Sequence, residues 1–402
     1  MLSIVVLLFI SAIVIYIWRF YENTDFRRLH MQIADYTKIY GNVFTLWLPK
    51  PHVVITDYEG IKEAFAKKGD DFSGRSAIFP QIVFQNVENG GVIFSQGENW
   101  KEQRRISLHI LRDFGMGKNL MEEQVLLSAQ EFLAHLASIK NKEEIDLRTP
   151  IQVKKNITED VERCLKTYNP DQEPECFVQA YYQRMQTNPN LDYDNLLNVC
   201  MDFFLAGMET TTTTLRWGTL ILAEHIDIQE KIREEIFSVL GADGRPSTSL
   251  RNRLPYTNAA IQEIQRYANI IPLNVIHRTV KDTSVESIPI PGDTLVIGHI
   301  QHVMAHSPVY KDANEFRPER FLMEDGITPN KEAVEQLCPF SVGKRQCAGE
   351  GLAKVELFIG LITLLQNYKI EPVKGRQVDL EPIFASVLLP KQQPLRLTPV
   401  TV

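Results

Sequence analysis

One segment of the sequence limits the possible folds more than any other. It is a loop over residues 339–349 that carries Cys347 and leads directly into an amphipathic stretch. The apolar residues over about 349–367 recur with helical spacing, which predicts a long helix. Cys347 is therefore expected at a helix N-terminus, where free backbone N–H groups and the helix dipole stabilise a thiolate. Arg345 adds a positive charge two residues away, so the loop predicts a cysteine with thiolate character.

A thiolate in a glycine-containing loop is a strong ligand for soft metals. Zinc is a poor fit, because a structural zinc ion needs four protein ligands and the loop holds no second cysteine or histidine. A single thiolate suits a metal whose other ligands come from a macrocycle, as in haem iron with an axial cysteine. A buried structural cysteine is the alternative, and the residues of the loop alone leave both interpretations open.

Five motifs, in a fixed order along the chain, together resemble the cytochrome P-450 superfamily, the haem-thiolate monooxygenases. The haem-loop pattern Phe340-x-x-Gly343-x-Arg345-x-Cys347-x-Gly349 resembles the haem-binding signature of that family. The other motifs are Trp100-x-x-x-Arg104, the segment AGMETT at 206–211, Glu263-x-x-Arg266 and the segment FRPERF at 316–321. The resemblance is closest to microsomal, animal-type members and implies haem b as the cofactor, with Cys347 as the axial ligand of the iron.

The hydrophobic pattern predicts a mainly α-helical protein with small β-sheets, and the resemblance implies the cytochrome P-450 fold. We expect one haem-thiolate monooxygenase domain over 35–402. A strand is expected at 52–56, a hairpin at 285–297 and strand-like segments over 380–398. The least regular stretch is 141–194. Helices are predicted over 57–68, 98–111, 119–140, 194–224, 228–240, 256–269 and 349–367.

The first 18 residues form an apolar stretch, which as a helix would span about 27 Å against a hydrocarbon core of roughly 30 Å. We interpret 1–18 as a transmembrane anchor rather than a cleaved signal peptide, because no Lys or Arg precedes it and bulky residues follow it. The arginines after it, within a linker over 19–34, predict a cytosolic catalytic domain. Together with the resemblance, this predicts a single-pass protein of the endoplasmic reticulum membrane.

Two residues of the long predicted helix over 194–224 are candidates for catalysis, Thr210 and Glu209. Ala206 and Gly207 leave room for a ligand beside this helix, and the Thr210 hydroxyl can bond to the carbonyl of Ala206, four residues back. The resemblance implies that Thr210 holds the dioxygen-derived ligand and its water, with Glu209 as the neighbouring acid. Plain helix packing is the alternative.

The resemblance also implies which residues hold the cofactor. Trp100 and Arg104 are four residues apart on one helix face and would donate to the haem propionates, as would Arg345. His277 resembles a fourth donor, with Arg278 as its competitor. The predicted cofactor-binding residues are Trp100, Arg104, His277, Phe340, Gly343, Arg345 and Gly349. Glu263, Arg266 and Arg320 are expected to form a buried structural triad.

The net charge of −7 argues against nucleic acid as a partner. No G-x-G-x-x-G motif follows a strand, so electrons must come from another protein. Lys101, Arg105 and Lys344 are predicted to dock an acidic flavoprotein. The resemblance implies the NADPH-dependent cytochrome reductase, with cytochrome b5 as a further candidate, together with membrane lipid and a lipophilic small-molecule substrate.

Two departures from the family pattern define the alternatives. A proline-rich hinge after the apolar stretch is absent, and the region 147–177, where the family builds the roof of the substrate pocket, is abbreviated. The predicted function is monooxygenation of a lipophilic small molecule; the first alternative is a haem-binding but catalytically impaired chain. A haem-thiolate isomerase or dehydratase is disfavoured by Glu209 and Thr210. His302 and His306 have metal-binding spacing but lack the Glu of H-E-x-x-H, which argues against a zinc protease.

Overall fold

The computed structural model describes residues 28–48, 50–76, 85, 87–116, 119–145, 157–384 and 387–400. Within them the protein is mainly α-helical with small β-sheets, which confirms the predicted class. The helices are α1 (Leu29–Tyr40), α2 (Tyr58–Lys62, continued by a π-helical turn over Glu63–Lys67), α3 (Gly97–Asp113), α4 (Asn119–Ser138), α5 (Ile157–Lys166), α6 (Phe177–Met185), α7 (Tyr193–Glu224), α8 (Ile226–Leu240), α9 (Pro255–Ala268), α10 (Ile300–His306), α11 (Lys331–Gln336) and α12 (Glu350–Asn367). Two 3-10 helices cover Thr248–Arg253 and Pro318–Phe321.

The strands of the described residues form one larger sheet and three two-stranded ribbons. They are β1 (Val43–Leu48), β2 (Lys50–Ile55), β3 (Gly74–Arg75), β4 (His277–Arg278), β5 (Thr283–Val285), β6 (Ile288–Ile290), β7 (Leu295–Gly298), β8 (Tyr368–Pro372), β9 (Pro382–Phe384), β10 (Leu388–Pro390) and β11 (Leu395–Pro399). The larger sheet has the order β1-β2-β7-β4-β3, with β2 parallel to β7 and the other neighbours antiparallel. The ribbons pair β5 with β6, β8 with β11 and β9 with β10.

The two helices that carry the predicted site are confirmed within a residue or two. Helix α7 spans 32 residues, and its first turn is capped by Asp192, whose carboxylate accepts the N–H of Asn195 at 2.6 Å. Helix α12 begins at Glu350, directly after the cysteine loop. Buried apolar side chains of α7, α9 and α12, such as Ile221, Ile264 and Ile362, share one hydrophobic core. This core fixes the helix of Thr210 against the helix that follows Cys347.

Two regions of the structure differ from the predicted secondary structure. The stretch 141–194, expected to be irregular, contains α5 and α6, which bury Val161 and Tyr181 in a core shared with α7. The hairpin expected over 285–297 is shorter than predicted. Strands β5 and β6 form it, whereas β7 leaves it after Pro291 and Gly292 and joins the larger sheet.

The predicted triad of buried charges is present and fully paired. Arg266 forms a two-pronged ion pair with Glu263 at 2.7 and 2.8 Å, and Arg320 Nε donates to the same carboxylate at 2.9 Å. The remaining guanidinium protons of Arg266 and Arg320 reach backbone carbonyls, including those of Met304 and Lys311. Because every charge has partners, the triad can fix the 316–321 segment to α9 without leaving an uncompensated buried charge.

The predicted anchor over 1–18 lies outside the described residues, as does most of the predicted linker. Helix α1 already begins at Leu29 and buries Ile33 against β2, so the folded domain starts before residue 35. In the part of the chain that the structure describes, no helix has the length and apolar character needed to cross a membrane.

Candidate active site

The loop that carries Cys347 is shaped by a close approach to α2. Gly343 has φ +80°, and a Cβ atom there would lie 1.7 Å from the carbonyl oxygen of Phe65, so only glycine fits. The N–H of Cys347 donates to the carbonyl of Phe340 at 3.0 Å, which closes the loop. Gly349 is the N-cap residue of α12, and a Cβ on it would meet nothing within 4 Å. Cys347 keeps solvent-exposed surface at this open edge, although protein atoms surround much of its thiol.

Several groups act on the charge of Cys347. Burial by the surrounding protein and the charge of Glu350 raise the pKa of its thiol, whereas the backbone N–H groups of Gly349 and Glu350 and the nearby Arg104 lower it. The pKa of the thiol lies above its ordinary value as the result, contrary to the thiolate character that the sequence predicts, and a bound metal ion would favour the thiolate. Arg345, the expected source of positive charge, points elsewhere: its guanidinium donates to the carbonyls of Ser73 and Ser95.

Arg104, and not Arg345 as predicted, is the arginine whose positive charge lowers the pKa of Cys347. Its Nη2 donates to the carbonyl of Gln346 at 2.6 Å, which holds α3 against the cysteine loop. Arg345 and Cys347 are two residues apart, but the Arg345 guanidinium is held by the carbonyls of Ser73 and Ser95. Proximity in sequence was therefore a poor guide to proximity of charge.

The middle of α7 borders open space. Leu205, Ala206 and Gly207 are exposed although the helix is packed at both ends, and a Cβ on Gly207 would meet nothing within 4 Å. The Thr210 hydroxyl donates to the carbonyl of Ala206 at 2.7 Å, the bond that the sequence predicts. One face of α7 is therefore shaped to accept a bulky group beside Thr210.

The two threonines at the centre of α7 have different partners. Thr210 bonds only within its own helix, whereas Thr211 donates to a carboxylate oxygen of Glu356 on α12 at 2.9 Å. Burial raises the pKa of Glu356, and the bond from Thr211 lowers it. The Glu209 carboxylate accepts from Thr213 at 3.3 Å. Thr211 is thus a structural link between the two site helices, and Thr210 is not.

Asp202 ties the loop before α3 to α7. Its Oδ2 accepts the backbone N–H groups of Val92 and Ile93 at 2.7 and 3.0 Å. Gly91 has φ +79°, and a Cβ there would lie 2.3 Å from the same oxygen, so glycine permits this approach. Burial raises the pKa of Asp202 to about 6 despite the two N–H donors. The sequence analysis did not identify this residue.

Three arginines converge without a carboxylate partner: Arg75 and Arg345 are buried, and Arg104 is partly buried. Burial lowers the pKa of each. The charge of Arg104 lowers the pKa of Arg75 further, and the charges of Arg75 and Arg104 lower that of Arg345. Among the described residues none of the three forms an ion pair with a carboxylate. The Arg345 guanidinium stacks 3.7 Å from the ring centre of Trp100, and the buried atoms Arg345 Nη1 and Trp100 Nε1 have no hydrogen-bond partner.

Comparison with known proteins decides the family. A sequence model described as Cytochrome P450 matches residues 13–153 and 148–397, most of the chain. The chain belongs to the cytochrome P450 family. It is 32% identical to cytochrome P450 2H1 of Gallus gallus over 88% of this chain and 85% of that protein. It is 33% identical to cytochrome P450 2C2 of Oryctolagus cuniculus over 90% of this chain and 88% of that protein.

Membership of the family makes this protein a P450 monooxygenase with haem as its cofactor. The arrangement of donors fits that cofactor. Buried cations without an anion are unfavourable, and the two propionates of haem would supply the missing negative charge. The unpartnered Trp100 Nε1 and Arg345 Nη1 are donors of the kind that carboxylates accept. Cys347 offers the thiolate, and the open face of α7 leaves space for the macrocycle.

Of the competing propionate donors, the structure disfavours Arg278. Arg278 donates to Asp293 at 2.5 Å and to Gln96 at 2.6 Å, so its guanidinium is already engaged. His277 is buried beside Arg75, and its Nδ1 lies 2.8 Å from the carbonyl of Phe72, which fixes the proton on that nitrogen. Burial and the neighbouring arginines lower its pKa far below the usual range. His277 can therefore donate from Nε2 only if a propionate draws a second proton onto the ring.

Arg75 is the functional candidate that the sequence analysis missed. Its Nε donates to the carbonyl of Ile93 and its Nη1 to that of Val275, both at 3.0 Å. These partners are far from it in sequence, so no local motif marks the residue. The sequence feature that could have indicated its role is its position next to Gly74 in the short strand β3. Because Gly74 has no side chain, strand β4 can approach β3 closely at this point.

Proposed function

We propose that this P450 inserts one oxygen atom of O2 into a lipophilic small molecule, using electrons from an NADPH-dependent cytochrome reductase. The observation that supports this most directly is the presence of Cys347, just before α12, beside Arg104 and the buried Arg75 and Arg345, three arginines that lack carboxylate partners. The relatives are named as cytochromes P450 of vertebrates, which agrees with a microsomal electron supply.

The haem, when bound through Cys347, supplies the activation of O2. The residues Trp100, Arg104, Arg345, Arg75 and His277 hold its propionates in this proposal. Cys347 receives two backbone N–H groups at the N-terminus of α12, which favour the thiolate once iron is present. Phe340, Gly343 and Gly349 shape the loop around it.

Thr210 and Glu209 handle protons in this proposal. The Thr210 hydroxyl gives its own proton to the carbonyl of Ala206, so its oxygen lone pairs remain free to accept from a water or a ligand proton. The Glu209 carboxylate lies on the same helix and accepts from Thr213, which holds it in place. A general acid in this position typically contributes a rate factor of about 10²–10⁴.

The proposed docking face for the reductase is less positive than its sequence suggests. Its three cations all form ion pairs with carboxylates on the protein surface. Exposed pairs of this kind are worth about 1 kcal/mol or less, so a partner's carboxylates can exchange with them. The pairs are Lys101–Glu98, Arg105–Glu102 and Lys344–Asp70.

One observation favours the second candidate, a haem protein with impaired catalysis. The alignment to cytochrome P450 2H1 extends over 424 residues, more than the 402 of this chain, so the relative contains segments without a counterpart here. The two parts of the family match meet at 148–153, inside the abbreviated region 147–177. Helices α5 and α6 nevertheless pack on α7 there.

A reconstituted assay separates the two functions. The full chain with haem, the reductase, NADPH and O2 is presented with a panel of lipophilic small molecules. A red-shifted carbonyl band together with NADPH-dependent oxygenated product supports the monooxygenase. The band without product from any compound favours the impaired protein, and a chain that binds haem without the band overturns the thiolate assignment.

We further propose that 1–18 anchors the protein in the endoplasmic reticulum membrane, with the domain from α1 onward in the cytosol. The support is the apolar stretch itself and the arginines that follow it, of which Arg19 and Arg27 are nearest.

A further inference from the structure

A row of histidines follows one end of the larger sheet, away from the cysteine loop. His302 and His306 lie on successive turns of α10, and their ring centres are 4.5 Å apart. His299, the residue before α10, lies 5.7 Å from His302. None of these rings contributes to the haem site described above, so the row needs a separate explanation.

The geometry points to a binding site for one divalent transition-metal ion of the Cu²⁺, Ni²⁺ or Zn²⁺ class, held by His302 and His306. A metal about 2.1 Å from one nitrogen of each ring lies about 3.2 Å from each ring centre. A right angle between the two bonds then places the ring centres about 4.5 Å apart. The observed separation of 4.5 Å matches this value, and a right angle between ligands is the arrangement of tetragonal Cu²⁺ and Ni²⁺ sites.

The surroundings are those of an accessible site. Both rings line a cleft of about 280 Å³ that is open to solvent, and Asp57 and Glu59 line the same cleft. These carboxylates attract a cation and can bind the waters that complete its coordination. Lys38 lies near the rings, but its charge is compensated by Asp35 at 2.8 Å.

One of the rings also has a nitrogen without a partner. Nδ1 of His302 is shielded from solvent and has no hydrogen-bond partner, a state that a neighbouring ion or water would relieve. Neutral imidazole nitrogens are common ligands of transition metals.

The protein supplies two ligands and water supplies the rest. Within the described ranges, no cluster of three or more His, Cys, Asp or Glu side chains has the arrangement of a metal site. The ion is therefore exchangeable rather than structural, and the fold does not depend on it. His299, although buried beside His302, does not line the cleft.

The test uses the full chain with haem, purified without a histidine tag and titrated with Cu²⁺. Electron paramagnetic resonance at one equivalent of Cu²⁺ should show splitting from two imidazole nitrogens. His302→Gln and His306→Gln should each weaken Cu²⁺ binding at least about tenfold, since even loss of an outer-shell partner costs 10–100-fold. His135→Gln removes a solitary exposed histidine from α4 and is the matched control, expected to leave the affinity unchanged.

The carbonyl band of each variant reports whether the fold is intact, and His306 is exposed enough to be replaced without disturbing the core. Unchanged Cu²⁺ affinity in a correctly folded His306→Gln protein overturns the proposal. A spectrum dominated by sulfur ligands overturns it too, because it would assign the ion to the thiols near Cys200 instead.

Discussion

Replacing Thr210 and Thr211 one at a time should change two different properties of the enzyme. The Thr210 hydroxyl bonds only to the carbonyl of Ala206, so Thr210→Ala loses one hydrogen bond worth about 0.5–1.5 kcal/mol. It also gains up to about 0.7 kcal/mol of helix propensity. The two contributions nearly cancel, and the stability of Thr210→Ala should stay within about 1 kcal/mol of the wild type.

Thr211→Ala should lower the stability of the protein and leave its catalysis unchanged. Its hydroxyl donates to the Glu356 carboxylate, which is partly buried between α7 and α12 and has a raised pKa. Removing the donor leaves a desolvated acceptor unsatisfied, which costs about 1–3 kcal/mol. Thr211→Ala should therefore be the less stable variant, while its proton delivery at Thr210 is unchanged.

The assays are the yield of product per NADPH consumed and the temperature at which the carbonyl band is lost. Thr210→Ala should keep the band and consume NADPH, but should form about 10²–10⁴-fold less product, with peroxide released instead. A nearby water can replace part of the effect. Thr211→Ala should remain coupled but lose its band at a lower temperature. Equal coupling in the wild type and Thr210→Ala would refute the catalytic role and leave Thr210 as a packing residue.

Three further predictions follow from the same geometry. Cys347→Ala should abolish turnover and the red-shifted carbonyl band. Cys338→Ala should keep both, because Cys338 is buried and burial raises the pKa of its thiol to about 12. Retained activity in Cys347→Ala would contradict the assignment of Cys347 as the iron ligand. Deleting residues 2–18 should move the protein from the membrane fraction to a mainly soluble or peripheral one, and continued resistance to alkaline carbonate extraction would show a second membrane element. The pKa of Asp202 is about 6 in the folded protein, above the usual 3.8, so the folded state binds its proton more tightly than the unfolded state does. Its contribution to the free energy of unfolding is therefore largest below pH 4 and is lost as the pH rises through 6. Asp202→Asn should remove this part of the pH dependence, on the order of 2–3 kcal/mol, and a denaturation midpoint with the same pH profile in both proteins would contradict it.

Local patterns in the sequence predicted the parts of the site that are themselves local. Cys347 at the start of α12, the back-bond from Thr210 and the shared face of Trp100 and Arg104 each depend on residues within a turn or two. These interactions need only helical spacing, which a sequence displays directly.

Contacts between distant segments could not be predicted in this way. Arg75 meets Val275, 200 residues away, and Asp202 meets Val92, 110 residues away, through backbone groups that any residue type supplies. Helices α5 and α6 were missed because Pro- and Asn-rich turns between them masked their short periodic stretches. The role of Arg345 was misplaced because its guanidinium bonds to the carbonyls of Ser73 and Ser95, which are about 250 or more residues away in the sequence.

The cluster of Arg75, Arg104 and Arg345 links the folding of this protein to its cofactor. Burial and mutual repulsion disfavour the charged forms of Arg75 and Arg345, and haem propionates bound at this cluster would relieve both effects. A ligand that binds only the folded state shifts the folding equilibrium by mass action. Haem held in this way would stabilise the fold as well as supply the chemistry, and we expect the amount of this protein in a cell to follow the haem supply, with unliganded chains passing to proteolysis.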